Sequence, residues 1–390
     1  MARRLSLLPA CAPPRPVCID PSPASTTDAL IRLGVRTRPC FREPLSGRPV
    51  ASLPQGSLAP AQHVVVVEKP DPQRPHPVGG VAYPRTLQEF DRWFASEAAC
   101  AEYLQRLRWP KGFRCPGCGG SKAWSTGRGL LRCGACQKQT SPVAGTVFEG
   151  TRKPLRTWFQ AMWYVTNQKS GVSALGLQRV LGFGSYQTAW AWLHKLRRTM
   201  VRPGRDRLGG SVEVDETYVG GVEEGVHGRA THTKSIVVIA VEVLSPKGFG
   251  RVRMRRILDV SGESLIPFVC DAVQPGALVR TDGWGGYNDL PKHGYRREKV
   301  VISSTGDPAH VSMPAVHRVA SLLKRWLLGT HQGSVSDKHL DYYPDEYTFR
   351  FNRRTSRARG LLFYRLLQQA AGGRRRPGAL PAPRCREGAG

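Results

Sequence analysis

The chain has 390 residues and carries 58 Lys and Arg against 29 Asp and Glu, a net charge of +29. An excess that large is more than a solvated surface needs and implies a polyanionic partner, nucleic acid before an anionic membrane. No apolar run approaches the ~18 residues of a membrane span, and the ten cysteines are not spread like the disulfide framework of a small secreted domain. A reducing, intracellular compartment fits them best.

Residues 1–83 are rich in proline and almost without periodicity, which predicts a disordered extension. The opening MARRLSLLPACA has its apolar run broken by Pro9 and is not read as a signal peptide. Cys11, Cys18 and Cys40 lie in this part, too irregularly spaced for a metal site. Order is predicted to begin in 84–109. Thr86 and Glu89 have capping-box spacing, and Leu87, Phe90 and Phe94 make one apolar face. A second helix over 96–108 turns Cys100, Tyr103, Leu104 and Leu107 inward, which makes Cys100 a core residue.

Residues 110–150 hold CPGC and CGAC, spaced C-x2-C-x14-C-x2-C. Each CxxC turn presents two thiolates, and two such knuckles complete a tetrahedral site with no open position. Cys115, Cys118, Cys133 and Cys136 are therefore expected to bind one structural Zn²⁺. The intervening SKAWSTGRGLLR suits a hairpin, which makes a zinc ribbon; paired identical knuckles have no redox logic.

Over 151–205 the period is helical: PLRTWFQAMWYV, SALGLQRVLG and SYQTAWAWLHKLRRTM. The last two flank a turn at Gly182–Gly184, and the second ends in Lys195, Arg197 and Arg198. A helix-turn-helix meeting a phosphate backbone reads this way, and so does a helical linker with a solvated basic end.

From 206 to 370 the period changes to that of strands. SVEVDETYV, SIVVIAVEVL and RVRMRRILDV precede a helix over 264–273, the strand ALVRTD, a strand near 296–302 and a helix over 315–328. In the first strand Val212 and Val214 point to one face, and Glu213 and Asp215 to the other. With a helical crossover between them, the strand ending in Asp282 can lie parallel beside the one carrying Asp215. Two adjacent carboxylates repel unless a cation neutralises them, and oxygen-only ligands favour Mg²⁺ or Mn²⁺. The glycines after each aspartate would let a nucleic-acid backbone approach. Residues 371–390 read as a basic disordered tail containing Cys385.

The order CPGC…CGAC, SALGLQRVLG…YQTAWAWLHKLR, VEVDETYVGG, TDGWGGY, LLKRWLLGTH and EYTFRFNRR resembles bacterial insertion-sequence transposases of the ISXO2-like type. The resemblance covers roughly residues 84–370. It implies a mixed α+β, α/β chain: a zinc ribbon and helix-turn-helix-like region, then an RNase H-like mixed sheet flanked by helices. It also implies metal-dependent hydrolysis at element ends and strand transfer by the freed 3′-hydroxyl. The partner would be double-stranded DNA, both terminal inverted repeats and target. A homodimer is left open, no membrane is involved, and the location would be cytoplasmic and nucleoid-associated. The first two acidic ligands carry over to Asp215 and Asp282, and the basic helix residue to Lys324. Arg325, Arg353 and Arg354, in the last two blocks, join Lys195, Arg197 and Arg198 as expected nucleic-acid contacts.

One departure stands out. Where many relatives have Glu seven residues before the Lys, this chain has His317; where others have Asn closer to it, this chain has Leu322. His317 removes one negative charge and suits softer ions than Mg²⁺. Glu346 is an outside candidate for the missing acid, although Pro344 is expected to break the helix it would need. A DNA-binding relic without cleavage and a nuclease without strand transfer are the two rival readings.

Overall fold

The computed structural model describes residues 76–202, 204–221, 234–246, 248–300, 309–333 and 339–372. Most of the extension, nearly all of the tail, and Cys11, Cys18, Cys40 and Cys385 lie outside the described residues.

Two short helices open the described chain, α1 (Leu87–Trp93) and α2 (Glu97–Arg108). The Thr86 hydroxyl accepts from the Glu89 backbone N–H at 3.1 Å, starting α1. The Glu89 carboxylate reaches back one residue beyond the cap, to the Arg85 N–H at 2.7 Å, and so does not close the expected box. Three short strands follow, β1 (Ala123–Ser125), β2 (Leu131–Cys133) and β3 (Gln139–Thr140), paired antiparallel in order.

Helices α3 (Leu155–Asn167), α4 (Ala174–Leu181) and α5 (Tyr186–Arg197) come next. Gly182 ends α4 with φ 63°, a left-handed turn that favours glycine. Phe90, Phe94, Trp158, Phe159 and Leu177 share one apolar core with Phe363 and Leu367 from the far end of the chain. Trp158 and Trp192 stack at 3.5 Å with their planes 7° apart. Trp192 is core, and Trp190 lies at its margin.

The five-stranded sheet contains β4 (Ser211–Val219), β5 (Ser235–Val243), β6 (Phe249–Ile257), β7 (Leu278–Thr281) and β8 (Arg296–Lys299). Its spatial order is β6-β5-β4-β7-β8. The first three strands are antiparallel neighbours in chain order, and only a short connection separates β5 from β6. Strand β7 lies parallel to β4 after the crossover through α6 (Gly262–Ala272), and β8 lies parallel to β7.

Alternation along the strands divides the sheet into two faces. Val212, Val214, Val238 and Ala240 pack with Leu265 and Val269 of α6 on one face. Val237, Ile239, Val241 and Met254 pack on the other with Val316, Val319 and Leu323. Those three belong to the long helix α8 (Pro314–His331), preceded by the single turn α7 (Ala309–Ser312) and followed by α9 (Tyr342–Phe351) and α10 (Arg359–Ala371). Pro344 sits in the first turn of α9, where its missing N–H costs nothing, so the helix continues through Glu346.

Candidate metal and nucleic-acid sites

In the ribbon, the two CxxC turns bring all four sulfurs within 4.8 Å of one another. The Cys115–Cys136 and Cys118–Cys133 Sγ distances are both 3.6 Å. A tetrahedral zinc with Zn–S bonds of ~2.3 Å sets ligand sulfurs ~3.8 Å apart, so the set fits zinc. Backbone N–H groups of Cys118 and Gly117 hold the Cys115 thiol down to about 6, while Cys136, despite the Lys138 backbone N–H that lowers it, is pushed up to about 12 by the Cys118 and Cys115 sulfurs beside it. Cys100 differs in cause: burial pushes its thiol up to about 12, as suits an inert core residue.

The acidic centre depends on register. Glu213 of β4 is level with Arg280 of β7, and continuing two residues sets Asp215 level with Asp282. Carboxylate oxygens of Asp215, Glu216 and Asp282 lie within 4.8 Å of one another. Glu216 is the acid that alternation misses, since it points with Val214 toward the α6 face. There it accepts the Tyr287 hydroxyl at 2.9 Å. Burial, then the Glu216 and Asp215 carboxylates, raise the Tyr287 phenol far above its ordinary value, so it stays a proton donor.

Two buried contacts hold the frame around these acids. Glu213 accepts the Val316 N–H in the first turn of α8 at 2.9 Å and pairs with Arg280 at 3.4 Å. Burial raises the Glu213 pKa, and the helix N–H and Arg280 oppose that rise. Seating that turn brings the next residue, His317, to 3.8 Å from Asp215 through Nε2. On β8, Arg297 donates to the Thr281 hydroxyl and to the Asp282 and Trp284 carbonyls, at 3.0–3.2 Å, bracing the loop that holds Asp282. No sequence signal marks Arg297, because its role depends on β8 lying beside β7.

Lys324 lies two turns after His317 on α8. Desolvation, then the nearby Lys234, lower its ammonium. The glycines do not all serve the expected purpose. A Cβ on Gly286 would lie 2.6 Å from the Val260 carbonyl, so that glycine lets protein backbone approach.

The expected nucleic-acid residues separate. Lys195 and Arg325 are exposed, and Arg198 is half-buried over Tyr342. Arg197 is a correction: it is 2% exposed, pairs with Glu346 at 2.7 Å and lies over the Tyr343 ring. A charge in that position is held by its buried partner and does not reach solvent. Glu346 is corrected with it. It is 1% exposed and also pairs with Arg350 at 2.8 Å, which makes it a structural counter-ion. Arg353 covers Phe349, while Arg354 donates to carbonyls at the start of β6. Leu322 is half-buried against the α8-side core and has no ligand atom.

Comparison with known families agrees with this arrangement. Residues 95–139 match the family described as transposase zinc-ribbon domain, and residues 207–352 the ISXO2-like transposase domain. Two stretches of the chain thus resemble, in order, a transposase zinc ribbon and an ISXO2-like transposase domain. It is also similar to a Halobacterium salinarum protein named as an uncharacterized protein in transposable element ISH50. The two are 27% identical over 270 residues, covering 64% of this chain and 89% of that one. Among the described residues, no helix is long and apolar enough to cross a membrane.

Proposed function

We propose that the protein is an insertion-sequence transposase that binds the element's terminal inverted repeats and catalyses metal-dependent phosphodiester hydrolysis and strand transfer. The observation that carries this reading is the parallel β4–β7 register, with Asp215, Glu216 and Asp282 gathered at its end. Three carboxylates so close repel one another unless a cation is shared among them. Asp215 and Asp282 would hold Mg²⁺ or Mn²⁺, with Glu216 beside them and His317 adding an imidazole that suits Mn²⁺ better. Such ions, when bound, favour attack by a water or a 3′-hydroxyl and stabilise the leaving oxygen.

The chain's own side chains fix where this chemistry happens. Tyr287 orients Glu216, Arg297 braces the Asp282 loop, and Glu213 seats the helix that presents His317. Lys324 and Lys234 place positive charge for a DNA backbone. Zinc at the four cysteines, domain limits at 84, 110, 151 and 206, a homodimer on paired ends and a cytoplasmic, nucleoid-associated location belong to the same proposal.

A DNA-binding relic is the second reading, favoured by His317 standing where many relatives have an acid. Glu216 supports the enzyme over the relic, because it supplies a third carboxylate from the same strand. Nicking of a plasmid carrying the element ends, with Mg²⁺ or Mn²⁺, decides between them. Cleavage is expected to be stronger with Mn²⁺ and to rise with Mg²⁺ in His317→Glu. Binding without nicking under either metal would establish the relic. Nicking without joining of paired ends would leave a nuclease.

A further inference from the structure

The transposase reading needs DNA at the acidic centre, but it leaves another feature unused. A cleft of about 970 Å³ opens where the linker after α5 meets β6, α9 and α10. Among the described residues, its lining holds eight lysines and arginines and a single carboxylate, Asp206. Lys195, Arg198 and Arg353, three of the residues expected to touch nucleic acid, line it together with Arg202, Arg253 and Arg365.

These cations are held mainly by neutral groups. Arg253 donates to the Val252 and Asp206 carbonyls, Arg353 to the Phe349 carbonyl, and Arg365 to the Gln368 side-chain oxygen. Carbonyls and rings fix a guanidinium without cancelling its charge. Two of the cations have acidic partners: Arg251 is matched by Glu242 at 2.6 Å, and Arg202, more loosely and in solvent, lies 3.8 Å from Asp206. The crowding is visible in the titration of the buried members. Burial, then Arg205 and Arg251, bring Arg253 down to about 10; burial, then Arg365 and Arg202, do the same to Arg353.

The cleft also has a position and a surface that narrow its ligand. Val252 and Met254 face α8, so Arg251 and Arg253 point to the opposite side of the sheet from His317 and Asp215. β6 is an edge strand two places from β4. The aromatic in the lining, Phe349, is 2% exposed and covered by Arg353, which leaves no open ring on which a base could stack. Single strands are gripped through stacking, whereas duplex backbones are gripped through phosphates.

We propose that this cleft binds the phosphodiester backbone of double-stranded DNA away from the scissile phosphate, as a second site independent of the acidic centre. The proposal rests on the reading of the chain as a protein that acts on DNA, but not on its being able to cut. The test therefore uses full-length Asp215→Asn protein and a short labelled duplex, with affinity measured against salt. Arg202 and Arg365 are removed together as Arg202→Gln/Arg365→Gln, and Lys292→Gln/Arg296→Gln removes two charges, one shortly before β8 and one at its start, as the control.

The cleft variant should bind ten-fold or more weakly at moderate salt. Its log–log salt slope should be shallower by about 1.8, at ~0.9 for each phosphate no longer neutralised. The control should keep the parent slope. An unchanged slope in the cleft variant, or an equal drop in the control, overturns the proposal. Should the variant fail to fold, protection of parent-protein arginines from phenylglyoxal gives the answer. Duplex DNA should shield Arg202 and Arg365. Their equal modification with and without duplex DNA, or shielding by single-stranded but not duplex DNA, overturns it. Failure of the unsubstituted protein to cleave, with this binding intact, would count against the catalytic reading alone.

Discussion

The ribbon and the acidic centre are both clusters of side chains able to hold a metal ion, built in opposite ways. The four cysteines lie within 22 residues, from Cys115 to Cys136, and two local turns aim them. The acidic centre draws Asp215 from a strand, Asp282 from the loop after another and His317 from a helix, spread over about a hundred residues. A knuckle of the first kind can be disrupted without touching the sheet. A centre of the second kind depends on the register of the whole sheet, yet each acid can be neutralised without disturbing that register.

The sharpest break of this comparison is Asp215→Asn or Asp282→Asn. Cleavage should fall by ~10³-fold or more, because a ligand of the activating metal is removed. The melting temperature should stay the same or rise slightly, since like-charge repulsion is relieved. A large fall in melting temperature would mean that these carboxylates hold the fold instead.

Cys115→Ser should do the reverse in the ribbon. Bound zinc, ~10–16 kcal/mol of apparent binding free energy in small zinc modules, should be lost along with local structure in 110–150. Hydrogen-exchange protection of β4–β8 should persist. Undiminished zinc by elemental analysis would refute the assignment.

Glu346→Gln leaves the buried Arg197 and the partly buried Arg350 without a counter-ion and should cost ~3–5 kcal/mol. The pH dependence has a definite sign. Despite opposing burial, Arg350 and Arg197 hold the Glu346 carboxyl down to about 2, against an ordinary 4.5. A depressed carboxyl stabilises the fold above about 4.5, and that stability is lost as the pH falls toward 2. The glutamine variant should therefore show a flatter acid limb in denaturant titrations at stepped pH.

Glu213→Ala should cost ~1–3 kcal/mol, because the buried Val316 N–H loses its acceptor. Cleavage should drop with it as His317 loses its seat beside Asp215. Glu213→Gln retains an acceptor and should cost less on both counts. Equal effects in the two variants would show that charge, and not the helix contact, is what matters there.

Legibility followed the same division. The four-cysteine cluster could be read at once, because a CxxC turn fixes its own geometry and needs nothing from the rest of the chain. Asp215 and Asp282 were readable through strand alternation and the helical crossover that permits parallel pairing. Glu216 was missed because alternation assigns it to the opposite face, and only the Tyr287 hydroxyl and the end of β7 bring it back to the aspartates. Arg197 was misread because a basic cluster at a helix end looks solvated until α9 is known to bring Glu346 against it.

The sequence by itself determined the local chemistry: the paired knuckles, the periods of helix and strand, the two aspartates after apolar runs, and the excess of positive charge. The tertiary structure decided which charges meet. It buried Arg197 on Glu346, placed Glu213 under the first turn of α8, and gathered the linker and edge-strand arginines around one cleft. Turns and periodicity are set by neighbours along the chain. The pairing of charges is set by neighbours in space, and burial makes a long-range ion pair worth forming only when the surrounding core holds both partners in place.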